Sequence, residues 1–130
     1  MRKEILIGLV WVFILTFVLT ACGPRADLAA QTVERYLEAL VAADRDQIVA
    51  LSCAEWEEFA VLEVDSLMAV TARLEQLACT STPDPAGGFS VTCSGKLIAT
   101  YGNEDQEIDL SLRTYHVVEQ NGEYLMCGYK

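Results

Sequence analysis

The chain has 130 residues, 52% of them apolar, with five cysteines, a single histidine and a formal net charge of −10 at pH 7. Nine basic residues face nineteen acidic ones, and no basic stripe with interleaved aromatics occurs, which excludes nucleic acid as a partner. One histidine and the absence of a CxxC pair exclude the common zinc motifs, so no metal and no cofactor is expected.

Arg2 and Lys3 form a short positive head, and the seventeen residues from Ile5 to Ala21 carry no charge, the layout of an export signal. A bilayer core about 30 Å thick needs roughly 20 apolar helical residues, so length alone leaves a permanent anchor as the alternative. The end of the run decides between them. Leu19-Thr20-Ala21-Cys22 closes it with two small residues and a cysteine, followed by Gly23-Pro24. This resembles the lipobox of bacterial lipoproteins. The resemblance implies that Cys22 takes a diacylglycerol, that the chain is cut before it, and that the new amino group is acylated (palmitate-type chains) in turn. Two or three chains anchor stably where one binds marginally, because each buried CH₂ contributes about 0.8 kcal/mol.

The expected division is a signal peptide over 1–21, a lipid-anchored tether over 22–27 and one domain over 28–130, at the cell membrane or envelope on its extracytoplasmic side. Loss of Arg2, Lys3 and Glu4 with the signal leaves 7 basic and 18 acidic residues, a net charge near −11. That charge keeps the domain off an anionic bilayer.

From about Ala26 to Ala43, Ala29, Val33, Tyr36, Leu37 and Leu40 recur at three and four spacing with Glu34, Arg35 and Glu38 between them, which predicts an amphipathic helix. Asp44-Arg45-Asp46 breaks it, and Asp46 is the expected N-cap of a short second helix carrying Ile48, Val49 and Leu51, with Cys53 near its end. A third helical stretch carries Trp56, Phe59, Ala60 and Leu62, and Ser66 is expected to cap a further turn holding Leu67 and Val70. Residues 73–80 fit helix and strand alike.

Pro83-Asp84-Pro85-Ala86-Gly87-Gly88 is a turn, and the strand formers after it predict a hairpin continuing through Lys96 to Tyr101. Beyond a turn at Gly102-Asn103-Glu104-Asp105, residues 107–118 alternate, with Ile108, Leu110, Leu112, Thr114, His116 and Val118 on one face. One long half-buried strand is predicted. Asn121-Gly122 suits a type I′ turn, and Tyr124 to Tyr129 returns.

Assigning Cys22 to lipid leaves Cys53, Cys79, Cys93 and Cys127, an even number in a compartment where disulfides persist. Paired residues of a hairpin have a constant index sum. The turn at 83–88 sets that sum near 171, which places Cys79 almost opposite Cys93 and favours that bridge. The turn at Asn121-Gly122 sets a sum of 243, pairing His116 with Cys127 on the face of Ile108, Leu110 and Leu112. Helices must cover that face, so Cys53 with Cys127 would staple helix layer to sheet, although the other two pairings stay open. In the chain-entropy model the two loops are worth about 3 and 4.5 kcal/mol.

The helical segment AQTVERYLEALVAADRDQIVALSC and the closing VVEQNGEYLMCG resemble small exported lipoproteins with an NTF2-like (cystatin-like, DUF4878-type) domain. The resemblance implies an α+β cone in which N-terminal helices pack on a curved antiparallel sheet of about four strands that encloses a pocket. That fold hosts enzymes and binding modules alike, so it does not give function.

His116, Tyr36 and Trp56 are the candidate ligand-lining residues, weighed against ordinary core roles. No catalytic residue is assigned: Asp109 alternates away from His116, leaving it without a partner. Glu55, Glu57 and Glu58 read as a solvated helix face, and Asn103, Glu104, Asp105 and Glu107 lack EF-hand spacing. The expected function is non-catalytic binding, of a small apolar ligand or an envelope protein, by a lipid-anchored domain. The alternatives are an NTF2-like isomerase or hydrolase using the pocket, and a homodimer formed through the sheet.

Overall fold

The computed structural model describes residues 24–130; the signal segment and Cys22 lie outside the described residues. Helix α1 (Pro24–Val41) opens on Pro24 and carries Asp27 in its first turn. Proline suits the first helical position, where its missing N–H has no intrahelical partner, and the carboxylate meets the positive end of the helix dipole. Residues 24–27, expected as tether, are therefore already helical. The predicted stripe is buried: Ala29, Val33, Tyr36, Leu37 and Leu40 are each at most 2% exposed.

Helix α2 (Arg45–Ala50) is capped by Asp44, not Asp46: the Asp44 carboxylate accepts from the Gln47 amide at 3.1 Å. A cap must lie outside the helix with its side chain reaching forward, whereas Asp46 stands inside the first turn. Helix α3 (Glu57–Leu67) buries Ala60 and Val64. Ser66 starts no further helix; its hydroxyl donates back to the Glu63 carbonyl at 2.6 Å, and the chain passes into strand at Thr71.

The sheet comprises β1 (Thr71–Pro83), β2 (Phe89–Tyr101), β3 (Glu104–Asp109), β4 (Thr114–Gln120) and β5 (Glu123–Tyr129), all antiparallel, in the order β1-β2-β4-β5 with β3 also on β2. Among the described residues, three helices precede and pack on this curved antiparallel sheet, the α+β arrangement expected, with five strands where about four were expected. The ambiguous residues 73–80 belong to β1.

The extra strand comes from a break in the segment expected to run unbroken over 107–118. Along β2, Lys96 pairs with Asp109 and Thr92 with Thr114, so the three residues 93–95 stand opposite the four residues 110–113. The surplus residue is absorbed by a 3₁₀ turn at Leu110–Leu112, whose N-cap Asp109 accepts from the Ser111 amide. One inserted residue exchanges the faces of everything after it. Tyr115 and Val117, 1% and 0% exposed, therefore fill the core side of β4, and His116 points to the other side. Leu112, expected inside, is 80% exposed.

A second irregularity separates Glu75 from Ala78 on β1, opposite Gly95. Gly95 has φ +100, and a Cβ there would stand 2.4 Å from the Glu75 carbonyl oxygen, so glycine is what lets the bulged strand close up.

Cys79 and Cys93 pair in register and are bridged. Cys53 and Cys127 are also bridged, but by a different route from the one expected. The segment after α2 runs beside β5: the Cys53 amide donates to the Met126 carbonyl at 2.9 Å and the Met126 amide to the Leu51 carbonyl at 2.7 Å, with Ser52 and Met126 forming a parallel bridge. The disulfide thus fastens a cover strip along the outer edge of β5, where unpaired strand groups would otherwise stand open. Cys127 does not sit with Ile108, Leu110 and Leu112 under the helices. Among the described residues, no helix is long and apolar enough to cross a membrane.

Candidate binding site

Glu63 projects from α3 between helix and sheet, with its side chain 19% exposed. Tyr36 of α1 donates to its Oε2 at 2.9 Å, and Tyr129 of β5 donates to its Oε1 at 2.9 Å. The Trp56 indole N–H donates in turn to the Tyr36 hydroxyl at 3.3 Å. Arg113, the residue that ends the 3₁₀ turn, places its guanidinium 3.6 Å from Glu63 Oε1 and 4.3 Å from the centre of the Tyr129 ring. That stack is a cation–π contact. Tyr115 packs edge-on to Tyr129, with ring centres 5.6 Å apart.

Burial, then the neighbouring Glu63 charge, pushes the Tyr36 phenol far up, against the opposing hydrogen bond from Trp56. Burial and Glu63 push Tyr129 up to about 12, with Arg113 opposing. Burial also raises Tyr115, again countered by the Arg113 guanidinium. Although it lies near that cation, the Tyr115 hydroxyl is buried without any hydrogen-bond partner.

Glu63 and Arg113 lie on the wall of a half-open cavity of about 200 Å³ whose other walls include Leu40, Leu67, Leu97 and Ala99. Tyr101 and Ile108 stand at its rim, 45% and 37% exposed, and Phe59, Leu62, Met68 and Leu112 are further exposed apolar side chains on α3 and the segments beside it. A cavity of about 150 Å³ holds benzene, so this one admits a small ring or a short chain. A mostly apolar wall with a few convergent polar groups is what a ligand pocket presents.

The three candidate residues named from sequence are only partly brought together. Tyr36 is 0% exposed and is not on the wall of this cavity; its hydroxyl supports Glu63 from behind. Trp56 and His116 share a separate hollow of about 370 Å³ with Asp84, Ser90 and Cys127. The partner that His116 lacked in the sequence is Asp84, from the 83–88 turn, with Nδ1 3.9 Å from Oδ2. Ser90 donates to that same oxygen at 2.7 Å, and this bond, with the one from the Ala86 amide, holds the Asp84 carboxyl below the usual range. The carboxylate thus stands between serine and imidazole, an order in which histidine cannot take the serine proton. The chemistry available there is hydrogen bonding.

Sequence reasoning missed Glu63, Arg113 and Tyr115. Arg113 and Tyr115 were assigned to the solvent face of an unbroken strand, and only the inserted residue turns Tyr115 inward. Of the acidic turn, Asp105 pairs with Arg73 at 3.2 Å and accepts from Thr100 at 2.6 Å, while Glu107 pairs with Lys96 at 2.6 Å. Cys53, Glu55 and Cys127 form a further cluster, but both sulfurs are held in a disulfide, so no thiolate is available to a metal.

The sequence matches no protein-family model and no curated protein. Solved structures do match. Pgp2, a helical cell shape determining protein of Campylobacter jejuni, is similar at 11% identity over 76% of this chain and 38% of that one, with a TM-score of 0.51. A SEC-C motif containing protein of Rhodopseudomonas palustris is similar at 11% identity over 80% of this chain and 88% of that one, with a TM-score of 0.47. A variant designated Rd1NTF2_05 is similar at 12% identity over 80% and 97%, with a TM-score of 0.46. The likeness to the Campylobacter protein, of which this chain spans 38%, is one of fold alone.

Proposed function

We propose that this protein is a lipoprotein, exported, cleaved before Cys22 and anchored by acyl chains to the extracytoplasmic side of the cell membrane or envelope, whose domain binds a small, largely apolar ligand without transforming it. The observation that carries the binding reading is the half-open apolar cavity with Glu63 and Arg113 on its wall. The carboxylate there already accepts from two phenols, which suits a fixed binding wall better than a base that must take up a proton. The anchoring reading rests on Leu19-Thr20-Ala21-Cys22, followed by Gly23-Pro24.

Two measurements test the parts separately. Cells expressing the chain and fed radiolabelled palmitate should label it, and Cys22→Ala should abolish the label; a labelled variant would overturn the lipid assignment. Methyl NMR of Ile108 during titration with benzyl alcohol should show a saturable shift, absent when Ala99, on the cavity wall, is replaced by Phe. A shift that persists in A99F, or none in the native chain, would overturn binding at this cavity.

A further inference from the structure

The mouth of the cavity beside Glu63 is ringed by apolar surface. Seven large apolar side chains are exposed among the described residues, and five of them stand here. Tyr101 and Ile108 form the rim. Phe59 and Leu62 each precede a wall residue of α3, Glu63 and Ser66, by one helical turn, so the four share one face of that helix. Leu112, 80% exposed, adjoins Arg113, whose guanidinium stands 3.6 Å from Glu63. Exposed apolar residues scattered singly need no explanation, whereas a contiguous patch rimmed by polar groups marks an interaction surface.

The charge around the patch selects what covers it. Helix α3 carries four acidic residues and no basic one, and β3 carries another four, again with no basic one. Arg45, Arg73, Lys96 and Arg113 each pair with one of these acids. Glu57, Glu58, Glu104 and Asp109 pair with no cation among the described residues, which leaves four uncompensated negative charges. A second copy of this chain would press one acidic face on another, and an anionic bilayer would be repelled likewise. A cationic segment is drawn in.

Resting on the binding reading above, we propose that the apolar group the cavity takes is a side chain of a partner protein: a cationic amphipathic helix lays its apolar face across Phe59, Leu62 and Leu112 and seats one ring between Leu97 and Ile108. The size agrees. A cavity of about 200 Å³ exceeds the roughly 150 Å³ that holds benzene, the bare ring of a phenylalanine. The patch offers side chains, which suits a helix, whose own backbone bonds are internal and whose apolar anchors recur at three and four spacing. Glu58, beside Phe59, and Glu104, opposite Tyr101 in register, stand where the basic flanks of that helix fall.

The test uses the full chain in phosphatidylcholine nanodiscs, one chain per disc, with the Ile108 and Leu112 methyls observed by NMR and free peptide fixed by its partition into empty discs. The probes are a Leu-Lys amphipathic helix with one central Phe, a scrambled peptide of the same composition, and the Leu-Glu counterpart of the first. The first should shift both methyls saturably and compete with benzyl alcohol at Ile108. The scrambled peptide should bind at least about tenfold more weakly, and the acidic one should not bind. Leu62→Ser with Leu112→Ser, both exposed positions, should weaken the first peptide at least about tenfold at Ile108. Glu58→Gln with Glu104→Gln should weaken it several-fold and flatten its salt dependence. Leu28→Ser, at an exposed leucine twelve residues or about 18 Å along α1 from Leu40 of the cavity wall, should change it by less than about twofold. Equal weakening by L28S and by L62S/L112S, or equal binding of the scrambled or acidic peptide, would overturn the helix assignment. Broadening of Leu112 by spin-labelled lipid before peptide is added would put the bilayer on this face, and a Leu112 shift with disc concentration would put a second copy there; either overturns it too. Benzyl alcohol moving Ile108 where the peptide does not would overturn the helix and leave the binding reading standing. Failure of both to move Ile108 would overturn both.

Discussion

Replacing Glu63 by Ala removes one carboxylate from between two phenols and a guanidinium. Tyr36, 0% exposed, then has no acceptor for its hydroxyl, Tyr129 loses its 2.9 Å bond, and Arg113 loses the charge 3.6 Å away. A buried donor left without an acceptor costs about 1–3 kcal/mol and a hydrogen bond to a charged group contributes about 1.5–3 kcal/mol, while the part-exposed Arg113 pair at 3.6 Å adds under about 1 kcal/mol. The three losses share one group and do not add in full, so E63A should cost about 3–5 kcal/mol, a large part of the roughly 5–15 kcal/mol that holds a small domain together. Melting followed by circular dichroism should fall by at least about 12 °C, since 1 kcal/mol moves a domain of this size by roughly 4–8 °C. E63Q keeps one acceptor oxygen and should cost about a third as much. Tyr129→Phe gives the sharper check. Alone it should destabilise, by removing a bond to a carboxylate; in the E63A background it should stabilise, by removing a hydroxyl that no longer has a partner. A melting change under about 4 °C for E63A, or the same sign for Y129F in both backgrounds, would refute the account of Glu63 as the hub of the network.

Replacing both Cys53 and Cys127 by Ser should cost about 4.5 kcal/mol in the chain-entropy model, against about 3 kcal/mol for the shorter Cys79–Cys93 loop; hydrogen exchange should quicken first at the Cys53 and Met126 amides, which join the strip to β5. Raising the pH should leave the fold intact up to about 10 and unfold it progressively as pH rises through about 12, because the folded-state pKa of Tyr129 is raised and the neutral phenol is the form the fold favours; phenolate absorbance that titrates fully at ordinary tyrosine values before unfolding would contradict this. Gly95→Ala should cost about 2–4 kcal/mol in urea unfolding, since a Cβ there would sit 2.4 Å from the Glu75 carbonyl oxygen at φ +100.

The parts of the fold that follow from local periodicity were readable from the residues. The stripe from Ala29 to Leu40 names the buried side of α1, and the turn at 83–88 sets the register that bridges Cys79 to Cys93. Both are set by neighbours a few positions apart, where spacing and turn chemistry act directly. The Cys53–Cys127 pair was reached by elimination and register, but its setting was not. It depends on a strip after α2 lying along β5, a contact 74 residues apart in sequence with no local pattern to announce it.

The site was hidden for a related reason. Alternation over 107–118 is nearly perfect on paper, and an unbroken strand puts His116 inside and Tyr115 outside. What the pattern omits is that this stretch must follow β2, where three residues face four. Leu110 settles how the surplus is placed: it turns fully inward while Leu112, two residues on, turns out to solvent at 80% exposure, which alternation in a single strand would not allow. That one local choice exchanges His116 for Tyr115 at the core and ends the turn at Arg113, beside Glu63. The bulge and the polar cluster are therefore one feature. Restoring an unbroken strand by deleting Ser111 would return His116 to the interior, where the imidazole would meet Tyr129 in place of the Tyr115 ring.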